Sequence, residues 1–175
     1  AFFNIAPRRF TCIYQYSQIA QSFQRMATRT IMNFPVLIVE DEASSRRLLR
    51  KMLSRVGYNA VAVKNGKEAL NTIEKRFFPI VLTDWIMPEI NGPDLIRAIR
   101  KRKDQGYVFI ILMTAKDSKQ DIVVGLESGA DEYITKPINH PELLARLKSG
   151  LRILQLERSL RQANEEIKAL SIKDF

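Results

Sequence analysis

From Phe34 onward, short apolar runs rich in β-branched residues recur along the chain: VLIV (36–39), AVAV (60–63), IVLT (80–83), VFIIL (108–112) and YIT (133–135). Between them the apolar spacing changes to three and four residues. This predicts helices around 43–56, 66–76, 93–103 and 118–128, and a long one from 140. Strands alternating with helices predict an α/β fold, a parallel sheet with helices on both faces and right-handed crossovers. The runs are continuously apolar, as strands buried on both faces require. Gly57, Gly66, Gly92, Gly106 and Gly129 fall between elements, where positive φ is often needed. Asn139 reads as the cap of the long helix and Pro141 as part of its first turn, which accounts for the only histidine, His140.

The two ends follow other patterns. Residues 1–33 have no clear period and no acidic residue, and are rich in Ser, Thr, Gln and Arg. That composition is similar to an organellar transit peptide. The stronger expectation is a disordered tail or an over-extended start, with the folded part able to begin at Met32. In the long helix, Leu144, Leu147, Leu151 and Leu154 form a stripe assigned to the sheet. A second stripe of Ile153, Leu156, Leu160, Ala163, Ile167 and Leu170 alternates by three and four residues, a heptad seam. With Ile153 at position a, Arg152 is g and Glu157 is e, which a parallel homodimer would bring together. The other reading is a lone amphipathic helix folded back on its own domain. The expected organisation is a tail at 1–33, one domain at 34–150 and a coiled-coil stalk at 151–175.

Composition narrows the classes. A chain of 175 residues can bury one sizeable core. The net charge of +9 comes partly from Arg8, Arg9, Arg25 and Arg29. It also comes from the clusters Arg46, Arg47, Arg50, Lys51, Arg55 and Arg97, Arg100, Lys101, Arg102, Lys103. Nucleic-acid binding is one reading of such clusters. Solvated helix faces are preferred, because an apolar stripe of Leu48, Leu49, Met52, Leu53 and Val56 interleaves the first cluster. The single cysteine, Cys12, excludes an internal disulfide and a Cys-rich zinc site. No apolar run is long enough to span a bilayer, and the expected location is cytoplasmic.

The chemistry gathers at strand ends. Glu40 and Asp41 follow the first strand, Asp84 the third and Thr114 the fourth, and Lys136 follows the fifth. In an open parallel sheet the carboxyl ends of the strands meet at one edge, where ligands bind. Three carboxylates, a hydroxyl and an ammonium should therefore converge. Two carboxylates about 4 Å apart repel by roughly 4 kcal/mol at an effective dielectric near 20. Such a site needs a cation or a proton, and oxygen-only ligation suits Mg²⁺ or Mn²⁺. No GxGxxG or GxxxxGK follows the first strand, so nucleotide cradling is not expected there. Haloacid-type phosphatase chemistry would need an acid two residues after Asp84, where Ile86 stands. A Ser-His-Asp triad lacks a histidine to serve it.

VLIVEDE (36–42), LTDWIMPEING (82–92), MTA (113–115) and GADEYITKP (129–137) together resemble the receiver domain of two-component response regulators. Glu40 stands where many members have Asp. The resemblance implies a flavodoxin-like, doubly wound, five-stranded parallel sheet of order 2-1-3-4-5 with an extended C-terminal helix. It implies that Asp84 accepts a phosphoryl group from a histidine kinase or phosphotransfer protein. Asp41, Asp84 and the backbone carbonyl of Ile86 would ligate Mg²⁺, with Glu40 helping directly or through water. Lys136 would pair with a phosphoryl oxygen, Thr114 would bond another, and Tyr133 would turn inward as the switch.

LERSLRQANEEIKALSIKD (156–174) further resembles the helix that joins receivers to diguanylate cyclase domains. No Gly-Gly-Asp/Glu-Glu-Phe signature occurs in the sequence, so no enzymatic output is expected from these residues. The leading expectation is a phosphoacceptor switch, with no direct nucleic-acid or membrane contact. The alternatives are an unphosphorylated dimerising module and the regulatory part of a diguanylate cyclase. A metal-dependent phosphohydrolase would need a base that the sequence does not supply.

Overall fold

The computed structural model describes residues 34–102, 106–115 and 119–171. The tail at 1–33, with Cys12, lies outside them, as do Lys103 and Ser118 at the ends of two predicted helices. Five strands form: β1 (Val36–Val39), β2 (Ala60–Val63), β3 (Ile80–Asp84), β4 (Phe109–Thr114) and β5 (Glu132–Thr135). They alternate with α1 (Ala43–Arg55), α2 (Gly66–Lys75), α3 (Gly92–Arg100), α4 (Lys119–Glu127) and α5 (His140–Ser171). All strand pairs are parallel and the order is β2-β1-β3-β4-β5, the flavodoxin-like topology expected.

The pleat sends successive side chains to opposite faces, and each face has its own core. Val36 and Ile38 of β1 pack with Leu49 and Leu53 of α1 and with Leu143, Leu147 and Leu151 of α5. Leu37 and Val39 pack on the other face with Ile73 of α2 and Leu95 and Ile96 of α3. The central strands β1, β3 and β4 are buried along their whole length, which explains their unbroken apolar sequence.

The turns carry their own caps. Asn65, Asn91 and Asn139 accept hydrogen bonds from the backbone N–H groups of Glu68 (2.8 Å), Asp94 (2.9 Å) and Glu142 (3.1 Å). Each satisfies an orphan donor of a first helical turn. Gly66 and Gly92 begin helices and are not positive-φ turn residues, unlike Gly57, Gly106 and Gly129. At Gly92 the requirement is space: a Cβ there would lie 2.3 Å from the carbonyl oxygen of Asp84.

Two apolar stripes are narrower than expected. Leu48 of α1 and Val56, its C-cap, are 55% and 40% exposed, while Leu49, Met52 and Leu53 are buried. In α5 it is Leu143, not Leu144, that is fully buried; Leu144 only flanks the core. Residues 143, 147, 151 and 154 share a face, and Leu144 lies at its margin, about 65° from the middle of that face. α5 begins beside the carboxyl edge of the sheet and crosses β4 where Gly150 meets Phe109. A Cβ at Gly150 would lie 2.3 Å from that ring. It then passes Phe34, whose ring lies 4.3 Å from the Arg158 guanidinium carbon, and continues into solvent.

Candidate functional site

Strand register builds the site. Val39 pairs with Thr83, Asp84 with Met113, and Thr114 with Thr135, so the residues ending neighbouring strands lie side by side. The backbone continues the alignment beyond the strands: Trp85 donates to Met113 O (2.8 Å) and Lys136 to Thr114 O (2.7 Å). Glu40, Asp41 and Asp84 each offer a carboxylate oxygen within 4.8 Å of the others. Glu40, Asp84 and Thr114 are buried, and Asp41 is exposed at the mouth. Ile86, two residues past Asp84, is 62% exposed in the loop before α3. Tyr133 is half-buried on β5, with the Arg146 guanidinium 5.7 Å from its ring centre.

Lys136 holds the acids together. Its Nζ donates to Glu40 Oε2 and to Asp84 Oδ2, both at 2.8 Å. Asp84 Oδ1 accepts from the Trp85 backbone N–H at 2.7 Å, so both oxygens of this carboxylate are oriented. The Lys136–Pro137 peptide is cis. Burial raises the pKa of Glu40; the hydrogen bond from Lys136 opposes this and the charge of Asp84 adds to it. Burial disfavours the Lys136 ammonium, but its hydrogen bonds to Asp84 and Glu40 outweigh that, and its pKa is raised. One ammonium thus offsets part of three negative charges, and a further positive charge would be favoured at the mouth.

The donor set fits a hard divalent cation. All the donors are oxygens, and ligands on one Mg²⁺ lie roughly 3–4 Å apart at its coordination distance of about 2 Å. The carboxylate separations need only a small contraction to reach that. Asp41 leaves the solvent side open for water or a phosphoryl oxygen.

Some site residues were not legible beforehand. Arg46, assigned with its cluster to a solvated face, is half-buried, and its Nη1 donates to the carbonyl oxygens of Glu40 (2.8 Å) and Asp41 (2.9 Å). It fixes the loop that carries both acids. Glu42 caps α1, accepting from the Ser44 hydroxyl and from Ser44 N (3.1 Å) and Ser45 N (2.7 Å); the serine side chains first, then the backbone N–H groups, draw its pKa down to about 2. An acid just before a helix with no Ser, Thr or Asn to cap it was the available signal. In the second basic cluster, Arg100 is also not solvated. It donates to Gly129 O (2.8 Å), Val108 O (2.5 Å) and Asp131 Oδ2 (2.7 Å). The remaining arginines and lysine of α1's cluster, Arg47, Arg50, Lys51 and Arg55, are exposed as expected.

Fold and site define a doubly wound α/β protein with an acid–lysine pocket at the carboxyl edge of its sheet. Residues 36–148 match the sequence profile of the response regulator receiver domain, and the chain belongs to that family. Among its relatives is the sensory transduction protein RegX3 of Mycolicibacterium smegmatis, 44% identical over 117 residues, 67% of this chain and 50% of that protein. Another is the transcriptional regulator ycf27 of Porphyridium aerugineum, 40% identical over 67% of this chain and 48% of that protein. The chain spans about half the length of these curated relatives. Among solved structures, a receiver domain of a signal transduction histidine kinase from Syntrophus aciditrophicus is 33% identical. It aligns with a TM-score of 0.64 over 68% of this chain and 90% of that one. A two-component response regulator/GGDEF domain protein is 28% identical, with a TM-score of 0.68 over 73% of this chain and 53% of that one.

Proposed function

We propose that this chain is the phosphoacceptor of a two-component phosphorelay, and that Asp84 takes a phosphoryl group from a sensor histidine kinase or phosphotransfer protein. The observation that carries this reading is Asp84 itself: buried, at the end of the central strand, with Lys136 2.8 Å away and two further acids beside it. A carboxylate oxygen of Asp84 attacks phosphorus as the P–N bond of a phosphohistidine breaks. The departing imidazole nitrogen keeps the electron pair and takes up a proton. Asp41, Asp84 and the Ile86 carbonyl would hold Mg²⁺ (or Mn²⁺), with Glu40 directly or through water; when bound, the ion supplies charge neutralisation for the transferring group. Lys136 leaves Asp84 to pair with a phosphoryl oxygen. Thr114 bonds another, and Tyr133 turns inward from its half-buried position. This changes the surface around β4 and β5 and controls either dimerisation through α5 or an output partner.

Direct contact with nucleic acid is not part of this reading, and the proposed location is the cytoplasm. Among the described residues no helix is long and apolar enough to cross a membrane. The test is incubation with Mg²⁺ and acetyl phosphate. The parent should form a hydroxylamine-sensitive acyl phosphate, and Asp84→Asn should form none while keeping its fold. Persistent labelling of Asp84→Asn refutes the assignment. No labelling of the parent favours a module that only dimerises, and sustained phosphate release favours a phosphohydrolase.

A second reading concerns output. The likeness to the response regulator/GGDEF protein extends over 73% of this chain, and the exposed helix beyond the pocket suits a connector. On that reading these residues regulate a diguanylate cyclase domain.

A further inference from the structure

We propose that the groove between Tyr107 and the root of the exposed part of α5 receives α5 of a second copy of this chain, in parallel, so that the dimer interface runs from the stalk onto the receiver itself. This rests on the stalk-dimer reading above and adds to it a contact outside the stalk. The groove, about 440 Å³, is lined by Tyr107, Ile153, Leu156, Glu157 and Leu160. Ile153, Leu156 and Leu160 are successive a, d and a positions of the seam, 43%, 71% and 60% exposed. Tyr107 comes from a different part of the chain, just before β4, at the edge of the sheet opposite the acidic pocket.

Tyr107 is held rigidly. Its hydroxyl donates to Asp131 Oδ1, and the Arg100 guanidinium lies 5.4 Å from the ring centre. Asp131 Oδ2 in turn accepts from Arg100 Nη2 and from Ile110 N, both at 2.7 Å. A fixed, partly exposed aromatic ring beside a row of branched apolar side chains forms a preorganised wall for a helix.

Charge identifies the occupant. Glu157, at position e, lines the groove on the Tyr107 side, and a parallel second copy presents its g residue, Arg152, to that position. Arg152 is exposed, and among the described residues its side chain donates to Ser149 Oγ at 3.3 Å. An antiparallel partner would instead set equivalent flanks against each other. α5 is one continuous helix through Ser171, so among the described residues no segment after the groove folds back onto it.

The test uses the full chain with Cys12→Ser as background. Leu156→Cys, at a seam d position, reports a parallel stalk in register by forming a symmetric disulfide. Tyr107→Cys mixed with Arg152→Cys reports the groove through a short bis-maleimide. Sedimentation of Tyr107→Glu and Tyr107→Phe separates ring contact from hydroxyl support. Both cross-links should form, Tyr107→Glu should weaken self-association at least tenfold, and Tyr107→Phe should stay within about twofold of the parent. A Leu156→Cys disulfide without the mixed cross-link overturns the groove and leaves the stalk dimer standing, as does a Tyr107→Glu variant that associates like the parent. Equal losses in Tyr107→Phe and Tyr107→Glu also overturn it, because the residue would then act through Asp131 and not through the partner. A protein monomeric at all concentrations, with no cross-link of either kind, overturns the stalk dimer as well.

Discussion

The two halves of α5 follow the same three-and-four apolar spacing, yet they meet opposite fates. In the first half Leu143, Leu147, Leu151 and Leu154 are 0–7% exposed against the sheet. In the second, Leu156, Leu160, Ile167 and Leu170 are 60–71% exposed. Helical periodicity records that a face is apolar; it does not record what covers it. The first stripe has a covering surface in its own chain and the second has none among the described residues. The hand-over falls where Arg158 lies over Phe34, two residues before the first strand. What the comparison teaches is that one helix can carry two apolar stripes, one packed inside the domain and one that, on the proposal above, a second copy completes.

The largest expected effect tests the first core. Leu147→Ala should cost about 2–5 kcal/mol, from lost burial and an incompletely collapsed cavity. Leu160→Ala in dilute protein should stay within about 0.5 kcal/mol of the parent, as exposed substitutions do. Urea unfolding of both variants at one low concentration checks the contrast, and similar losses in the two would break it. Next in size is Gly150→Ala. Its Cβ would meet the Phe109 ring at 2.3 Å, so α5 must lift off β4 or the ring must turn. Overpacking of this kind costs about 1–3 kcal/mol. A Gly150→Ala protein as stable as the parent would show that the helix sits more loosely on the sheet than the contact implies.

Much of this architecture was legible in the sequence, for identifiable reasons. Strands buried on both faces leave unbroken apolar runs, and helices between them leave a different period, so the five strands and five helices appear in order. Strand ends placed Glu40, Asp41, Asp84, Thr114 and Lys136 at one edge because parallel topology leaves little alternative. What could not be read was the direction of long polar side chains. Arg46 and Arg100 look like their solvated neighbours in composition, and only folding brings loop carbonyls and Asp131 within their reach. Stripe width was also not legible: Leu48 lies one residue, and so about 100°, from Leu49 on the packed face, and Leu144 sits at the margin of its own.

The smallest effect concerns two tyrosines, one on each side of the comparison. Tyr58 belongs to the domain core, and burial pushes its pKa up to about 12. Tyr107 stands at the stalk root and is also pushed up to about 12, first by burial and then by its hydrogen bond to Asp131. Both phenols are therefore held neutral in the folded state more strongly than in the unfolded chain, where they titrate near 10. The folded state binds more protons between those values, so the stabilisation is complete below about pH 10 and is lost as pH rises towards 12. Ultraviolet titration should show two late-ionising phenols, one removed by Tyr58→Phe and the other by Tyr107→Phe. If a second copy covers the Tyr107 groove, raising the protein concentration should delay the Tyr107 step and leave the Tyr58 step in place. In Leu160→Glu, which cannot form the seam, the concentration dependence should vanish. A Tyr107 step that ignores concentration in a parent shown by sedimentation to dimerise would mean that the partner's helix stops short of the receiver.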